Sequence, residues 1–287
     1  MIRDDFCAFI LTHGRPDRVH TYNTLLRSGY TGKIYIVIDD EDKTESEYRR
    51  RYGEKVLQFS KAEIAKTFDE GDNFGDRRTI IYARNACWDL AKQVGCRYFI
   101  QLDDDYTEFR TRYKSDGEPC YLRITKTLDS ILCAMLDYYE SIPALSIAMA
   151  QGGDFLGGEF RQRRSLRRKA MNTFICSTDR PFQFFGRINE DVNTYTTTSR
   201  TGALFFTVMQ VQMIQITTQS NKGGMTETYI DGGTYIKSFY SVMYCPSGVK
   251  IGEIADPSSP HYRIHHAINW HRIAPKILRE KWRKKRY

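Results

Sequence analysis

The sequence predicts an α/β fold built on a mostly parallel, Rossmann-like sheet flanked by helices. Three observations carry this. Short apolar runs alternate with stretches of helical period through the first half of the chain, the pattern of strand–helix–strand units. Several of those runs end in polar or acidic clusters, and ligands bind at the carboxyl ends of strands in open α/β sheets. The central run, Arg97 to Tyr106, reads Arg-Tyr-Phe-Ile-Gln-Leu-Asp-Asp-Asp-Tyr, a strand suited to burial on both faces and followed at once by three carboxylates.

Taken in order, Phe6 to Leu11 is the first strand and Thr12-His13-Gly14-Arg15-Pro16 the loop behind it. An amphipathic helix from Asp17 to Arg27 stops at Gly29. Lys33 to Ile38 is the second strand and ends in Asp39 and Asp40; Lys43 to Tyr52 is a charged, exposed helix, and Val56 to Phe59 the third strand. No Gly-x-Gly-x-x-Gly follows the first strand, so the dinucleotide fingerprint is absent. From Thr79 to Val94 apolar residues recur at helical spacing, and Gly95 supplies the stop. A further helix, Leu122 to Ser141, turns Ile124, Leu128, Ile131, Leu132, Met135 and Leu136 inward before Pro143 breaks it. Ala144 to Met149, Asn172 to Cys176 and Phe182 to Ile188 read as strands, and Glu190-Asp191 opens a short helix. Ala203 to Thr217 is one long strand or two, and Gly223-Gly224 and Gly232-Gly233 mark loops.

A chain of 287 residues fits one large domain or two small ones, and a single catalytic domain is the expectation. Its many Tyr and Phe argue against disorder, and its longest apolar runs are too short to span a bilayer. No secretory leader is visible, and seven cysteines without a Cys-x-x-Cys pair read as reduced thiols of a cytoplasmic protein. The net charge of +8 is compatible with a polyanionic partner.

Adjacent like charges cost free energy unless something positive offsets them, so Asp103, Asp104 and Asp105 ask for a cation or for ligand hydroxyls. A solvated acidic turn is the plainer alternative. Arg161, Arg163, Arg164, Arg167, Arg168 and Lys169 crowd together as either a solvated face or a polyanion contact. In a parallel sheet Thr12 to Arg15, Asp39-Asp40, Asp103 to Asp105 and Glu190-Asp191 would converge on one edge.

Ala83-Arg84-Asn85 on a helix, then Asp103-Asp104-Asp105, then Asn189-Glu190-Asp191, resembles the Ala-Arg-Asn, Asp-x-Asp and x-Glu-Asp series of GT-A fold glycosyltransferases. With Thr12-His13-Gly14-Arg15-Pro16 and the late run from Arg263 to Trp270, the chain resembles the phage TET-associated glycosyltransferases. The resemblance implies a GT-A sheet with a smaller mixed or antiparallel acceptor-side sheet. It divides one domain into a nucleotide-sugar half (1–150), an acceptor half (151–260) and a His-containing basic tail (261–287). It implies a hexosyltransferase that uses a UDP-sugar and Mn²⁺ or Mg²⁺ to modify 5-hydroxymethylcytosine in double-stranded DNA, in the host cytoplasm. Asp105 would be the metal ligand, helped by Asp103 and by His265 or His266. Thr12, His13, Gly14, Arg15, Asp39, Arg84, Asp103 and Asp104 would meet the donor, with Arg84 pairing either the diphosphate or the acidic strand end. Asp191 would be the base that activates the acceptor hydroxyl, and Glu190 would orient it; a helix N-terminal acid pair is the plainer reading. The basic run Arg161 to Lys169 would track DNA. Two rivals stand beside this expectation: a GT-A enzyme acting on a glycan or small acceptor, and a non-catalytic DNA-binding module.

Overall fold

Strand β1, Phe6–Leu11, is buried at all 6 positions, and its alternate side chains enter two different cores. Phe6, Ala8 and Ile10 join one apolar cluster, while Cys7, Phe9 and Leu11 join another on the opposite face of the sheet. That is how a strand covered on both sides is built, and why it reads as an unbroken apolar run. In the computed structural model residues 2–115, 118–155, 168–216, 236–255 and 262–283 are described. The expected glycine loops at 223–224 and 232–233, together with Arg161, Arg163, Arg164 and Arg167, lie outside them.

Around β1 the sheet is parallel: β2 (Lys33–Asp39) lies on one side, with β3 (Val56–Phe59) beyond it, and β4 (Tyr98–Asp103) lies on the other. Past β4 the sheet becomes mixed. It runs through β8 (Phe174–Ser177), β7 (Ser146–Ala150) and β9 (Phe205–Gln215) to β5 (Tyr106–Ser115) and β6 (Glu118–Arg123), giving nine strands in all. Helix α1 (His20–Arg27) and helix α5 (Leu128–Ser141) feed the first cluster, and α4 (Ile81–Gln93) the second. Two shorter helices, α2 (Glu45–Tyr52) and α3 (Lys61–Ala65), flank β3 in the chain. Gly29 ends α1 with φ of 87°, and a Cβ there would meet the Lys126 backbone at 2.5 Å, so only glycine fits that turn.

Among the described residues, β10 (Val249–Ala255) and β11 (Tyr262–Ile268) form a separate antiparallel pair, the small second sheet. No described helix is long and apolar enough to cross a membrane. All seven cysteines are free thiols.

Three expectations need correction. The segment before α5 is the hairpin β5–β6, so the helix expected from Leu122 begins only at Leu128, and Leu122 lies on a strand, 63% exposed. The strand expected from Phe182 to Ile188 is irregular chain, because side chains of neighbouring helices and the carbonyls of Asp69 and Glu70 satisfy its backbone. Asn85 bonds both the N–H and the C=O of Phe184, at 2.9 and 3.2 Å, and Thr194 accepts from the Phe185 N–H at 3.1 Å. Strands β10 and β11, unmarked in the sequence reading, occupy the tail. Of the two alternatives for the stretch from Ala203, the described residues form the one strand β9.

Candidate active site

The parallel register sets the site. Leu11 pairs with Val37 on one side and with Asp103 on the other, so the loop after β1, the end of β2 and the acidic end of β4 share one edge. There the loop is latched by side chains. Thr12 Oγ1 donates to Asp104 Oδ2 at 2.6 Å, Arg15 Nη2 lies 3.1 Å from the same oxygen, and the Arg15 N–H donates to Tyr48 OH at 2.9 Å. Gly14 gives its N–H to Asp42 Oδ2 at 2.7 Å. Asp104 is therefore the anchor of the Thr12–Arg15 loop.

At the end of β2, Asp39 is enclosed by cations: His13 Nδ1 is 2.7 Å from Oδ2 and the buried Lys61 Nζ is 3.1 Å from Oδ1. Burial opposes ionisation of Asp39, but the hydrogen bond from His13 and the charge of Lys61 outweigh it and hold the carboxyl below its usual range. The same bond raises His13, and the half-exposed imidazole is the part of this trio that faces outward.

Arg84, on α4, joins the acidic end of β4 to the later Glu-Asp pair. Its Nη2 donates to Asp103 Oδ1 at 3.0 Å and its Nε to Glu190 Oε1 at 2.9 Å, while its guanidinium lies 4.9 Å over the Phe174 ring. At 2% exposure it is no surface arginine; of its two expected partners it reaches the acidic strand end. Burial pushes Asp103 up to about 6, against the pull of Arg84. Burial also lifts Asp105, with Asp103 and Asp104 adding like charge, to about 7. Asp105 Oδ1 is buried and finds no hydrogen-bond partner among the described residues.

Glu190 and Asp191 open helix α6 (Glu190–Ser199), where negative charge suits the helix N-terminus. Asn189 precedes them in the left-handed region, φ 63°, a conformation asparagine tolerates. Its amide donates to Ser241 Oγ at 2.7 Å and lies 3.2 Å from His266 Nδ1, which ties α6 to the helical residues 236–244 and to β11. Burial raises both acids; Arg84 opposes this at Glu190, and Lys237 at Asp191. Asp191 Oδ1 accepts only a local bond, from the Val192 N–H at 2.7 Å.

The two histidines differ from expectation. Adjacent strand residues should diverge, yet the His265 and His266 rings lie 4.0 Å apart. Burial lowers both, His266 to about 3, which favours the neutral form of each ring. No three His, Cys, Asp or Glu among the described residues form a group able to hold a metal ion, so Asp103, Asp105, His265 and His266 are not assembled as one centre. The carboxylates taken alone suit a hard cation, given the partnerless oxygen and raised proton affinity of Asp105.

Of the basic run, only its end is described: Arg168 is outside any regular element, and Lys169 turns inward to Asp154 Oδ1 at 2.6 Å. Phe184 and Tyr240 are core residues, whereas Phe239 is 45% exposed. Sequence reasoning missed Tyr48, Lys61, Asp42 and Asp154. Each is buried and polar or amphipathic, and only Asp42, just past the β2 acids, carried a local signal.

With this geometry established, comparison with known proteins identifies the family. The model of the TET-associated glycosyltransferases matches residues 6–224. No curated protein sequence matches significantly. Among solved structures, the chain is similar to glucosyl-3-phosphoglycerate synthase from Mycobacterium tuberculosis, crystallised with Mn²⁺, uridine diphosphate and phosphoglyceric acid. Identity there is 12% and TM-score 0.46, over 92% of this chain and 87% of that one. It is also similar to S. aureus TarS, at 13% identity and TM-score 0.41, over 72% of this chain and 36% of that one. The matched span runs from the first residue of β1 through β9 and takes in the Arg84 bridge and the Glu190-Asp191 pair, and by it the chain belongs to the TET-associated glycosyltransferase family.

Proposed function

We propose that this glycosyltransferase moves a sugar, with inversion, from a UDP-sugar to the hydroxyl of 5-hydroxymethylcytosine in double-stranded DNA. The observation that carries the reading is the Arg84 bridge, which sets Asp103 and Glu190 on one guanidinium at 3.0 and 2.9 Å. Donor-side and acceptor-side acids are thereby held in a fixed relation. The DNA acceptor rests on family membership, and family membership also favours an enzyme over a non-catalytic DNA-binding module.

In this mechanism the loop from Thr12 to Arg15 and the His13–Asp39 pair receive the nucleotide, with His13 presenting the outward imidazole. Asp105, with Asp103 beside it, would hold Mn²⁺ or Mg²⁺, which when bound offsets the negative charge that develops on the departing diphosphate. Asp191 takes the proton from the acceptor hydroxyl as that oxygen approaches the anomeric carbon. Its burial raises its proton affinity and so suits it to that work. Glu190, committed to Arg84, fixes the start of α6 and with it the position of Asp191.

The test is transfer of labelled sugar from a panel of UDP-sugars to duplexes that differ only in carrying 5-hydroxymethylcytosine or cytosine, with Mn²⁺ or chelator. Label on the hydroxymethylated duplex alone, lost in chelator, is the expected result. Label only on a glycan or small acceptor would overturn the DNA assignment, and undiminished turnover in chelator would overturn the metal.

A further inference from the structure

At the far edge of the sheet, remote in sequence from the predicted basic run, the β5–β6 hairpin carries an unusual charge pattern. Its antiparallel register sets Arg110 opposite Arg123, Arg112 opposite Tyr121 and Lys114 opposite Pro119. Side chains alternate along a strand, so these positions, with Glu108, share one face of the ribbon. That face holds four cations and one carboxylate. Like charges directly opposite one another destabilise a ladder, and Glu108 is left to serve both arginines: it bonds Arg110 and lies 3.7 Å from Arg123. Charges on an edge strand also discourage aggregation, but the cations here extend onto the inner strand β5, where edge protection gives no reason for them.

Aromatic and polar neighbours hold two of the arginines in place. Arg110 lies 4.3 Å over the ring of Tyr121, itself 56% exposed. Arg112 donates to Gln212 Oε1 at 2.9 Å and lies 3.8 Å over the ring of Phe155. Phe155 precedes the arginine-rich segment in the chain, and the Lys169 C=O accepts from Thr207 Oγ1 of β9 at 2.9 Å. The cationic face thus adjoins a residue that borders the basic segment in sequence.

We propose that this face of the β5–β6 ribbon is a docking surface for the phosphate backbone of duplex DNA. The proposal rests on the DNA reading of the acceptor and adds a surface to it. Arginine forks suit phosphate oxygens, and each phosphate neutralised releases counterions, so the contact is independent of base sequence and sensitive to salt. The ribbon would hold the duplex while the edge bearing Asp191 acts on the modified base.

Two variants test this by fluorescence anisotropy on hydroxymethylated and plain duplexes between about 50 and 200 mM salt. In R112Q/K114Q/R123Q the slope of log affinity against log salt should flatten by roughly 2 to 3 and affinity should fall about tenfold or more. Donor hydrolysis without acceptor should be unchanged. In R112K/K114R/R123K, which keeps the charge, binding and slope should stay near the wild type. An unchanged slope in the glutamine variant, with sugar transfer to DNA intact in the wild type, overturns the ribbon and leaves the acceptor assignment standing. Equal loss in both variants also overturns it, because charge would then not be what the ribbon supplies. A wild type that neither binds DNA nor transfers to it removes the proposal together with the reading beneath it.

Discussion

Arg84 gives one prong to Asp103 and another to Glu190 while only 2% of it meets solvent, so its charge and theirs are meaningful only together. Breaking a buried ion pair by removing one partner leaves uncompensated charge, at a cost of about 3–5 kcal/mol. Arg84→Met should lower stability by that order in urea denaturation, and Arg84→Lys should not restore it, since one ammonium cannot reproduce the two-pronged fork. Asp191 lies outside that bridge. Asp191→Asn should cut transfer by roughly 10²-fold or more and leave donor affinity near the wild type, read by kinetics beside donor titration. His13 offers a pH test. Its folded pKa is raised above the ordinary 6.5 by the bond to Asp39, so the stabilisation is fully present below that value and is lost as pH rises through the raised one. An NMR titration should find the imidazole above its ordinary range and returned toward it in Asp39→Asn; equal values in the two proteins would detach His13 from Asp39. At this scale the acids were legible in the sequence, because three adjacent carboxylates and a Glu-Asp pair advertise an unmet electrostatic need. Lys61 and Tyr48 were not, because a buried lysine or hydroxyl is defined by partners distant in the chain.

Elements with one dominant period were legible almost to the residue. β1 matches Phe6–Leu11 and β3 matches Val56–Phe59, since both read as short apolar runs bounded by breakers. The hairpin β5–β6 was mistaken because Leu122, Ile124 and Leu128 happen to continue the spacing of α5 backwards, although Leu122 is exposed. Pro119 fits this hairpin because β6 is the edge strand. The segment 182–188 failed for a different reason: its backbone bonds go to side chains of α4 and α6 and, from Gly186 and Arg187, to the carbonyls of Asp69 and Glu70, a choice no local pattern records. Gly186 is part of that choice, with φ of 75° and a would-be Cβ 2.4 Å from Asn193 Nδ2. Asn85 supplies two of the bonds. Asn85→Leu would leave the Phe184 N–H and C=O unpaired at a buried position, at a cost of about 1–3 kcal/mol. A lowered melting temperature and a drop in transfer are expected together, because the same segment leads into Glu190. Normal stability and rate would mean that the segment is held by its aromatic packing alone.

Across the whole molecule, the division at residue 150 that the resemblance implies is one of roles, and the contacts argue that it is not one of stability. β4 from the first half pairs with β8 from the second, and both apolar clusters draw residues from each side of the division. Polar ties cross it as well, among them Arg84 to Glu190, Asn85 to Phe184, and Arg187 to Asp72, the last at 2.7 Å. Trp88 on α4 sits at the junction, in edge-on contact with Phe99 at 5.4 Å and with Phe182 at 4.8 Å. Removing either half would therefore expose the core of the other. The chain should unfold in urea as one cooperative unit, with tryptophan fluorescence and far-ultraviolet circular dichroism giving coincident midpoints. Separated midpoints, with fluorescence changing while half of the helical signal remains, would make the first half of the chain an independent domain. The Arg84 bridge would then join two folding units across an interface. In that case Arg84→Met should widen the gap between the midpoints, whereas in a single unit it shifts one shared midpoint downward.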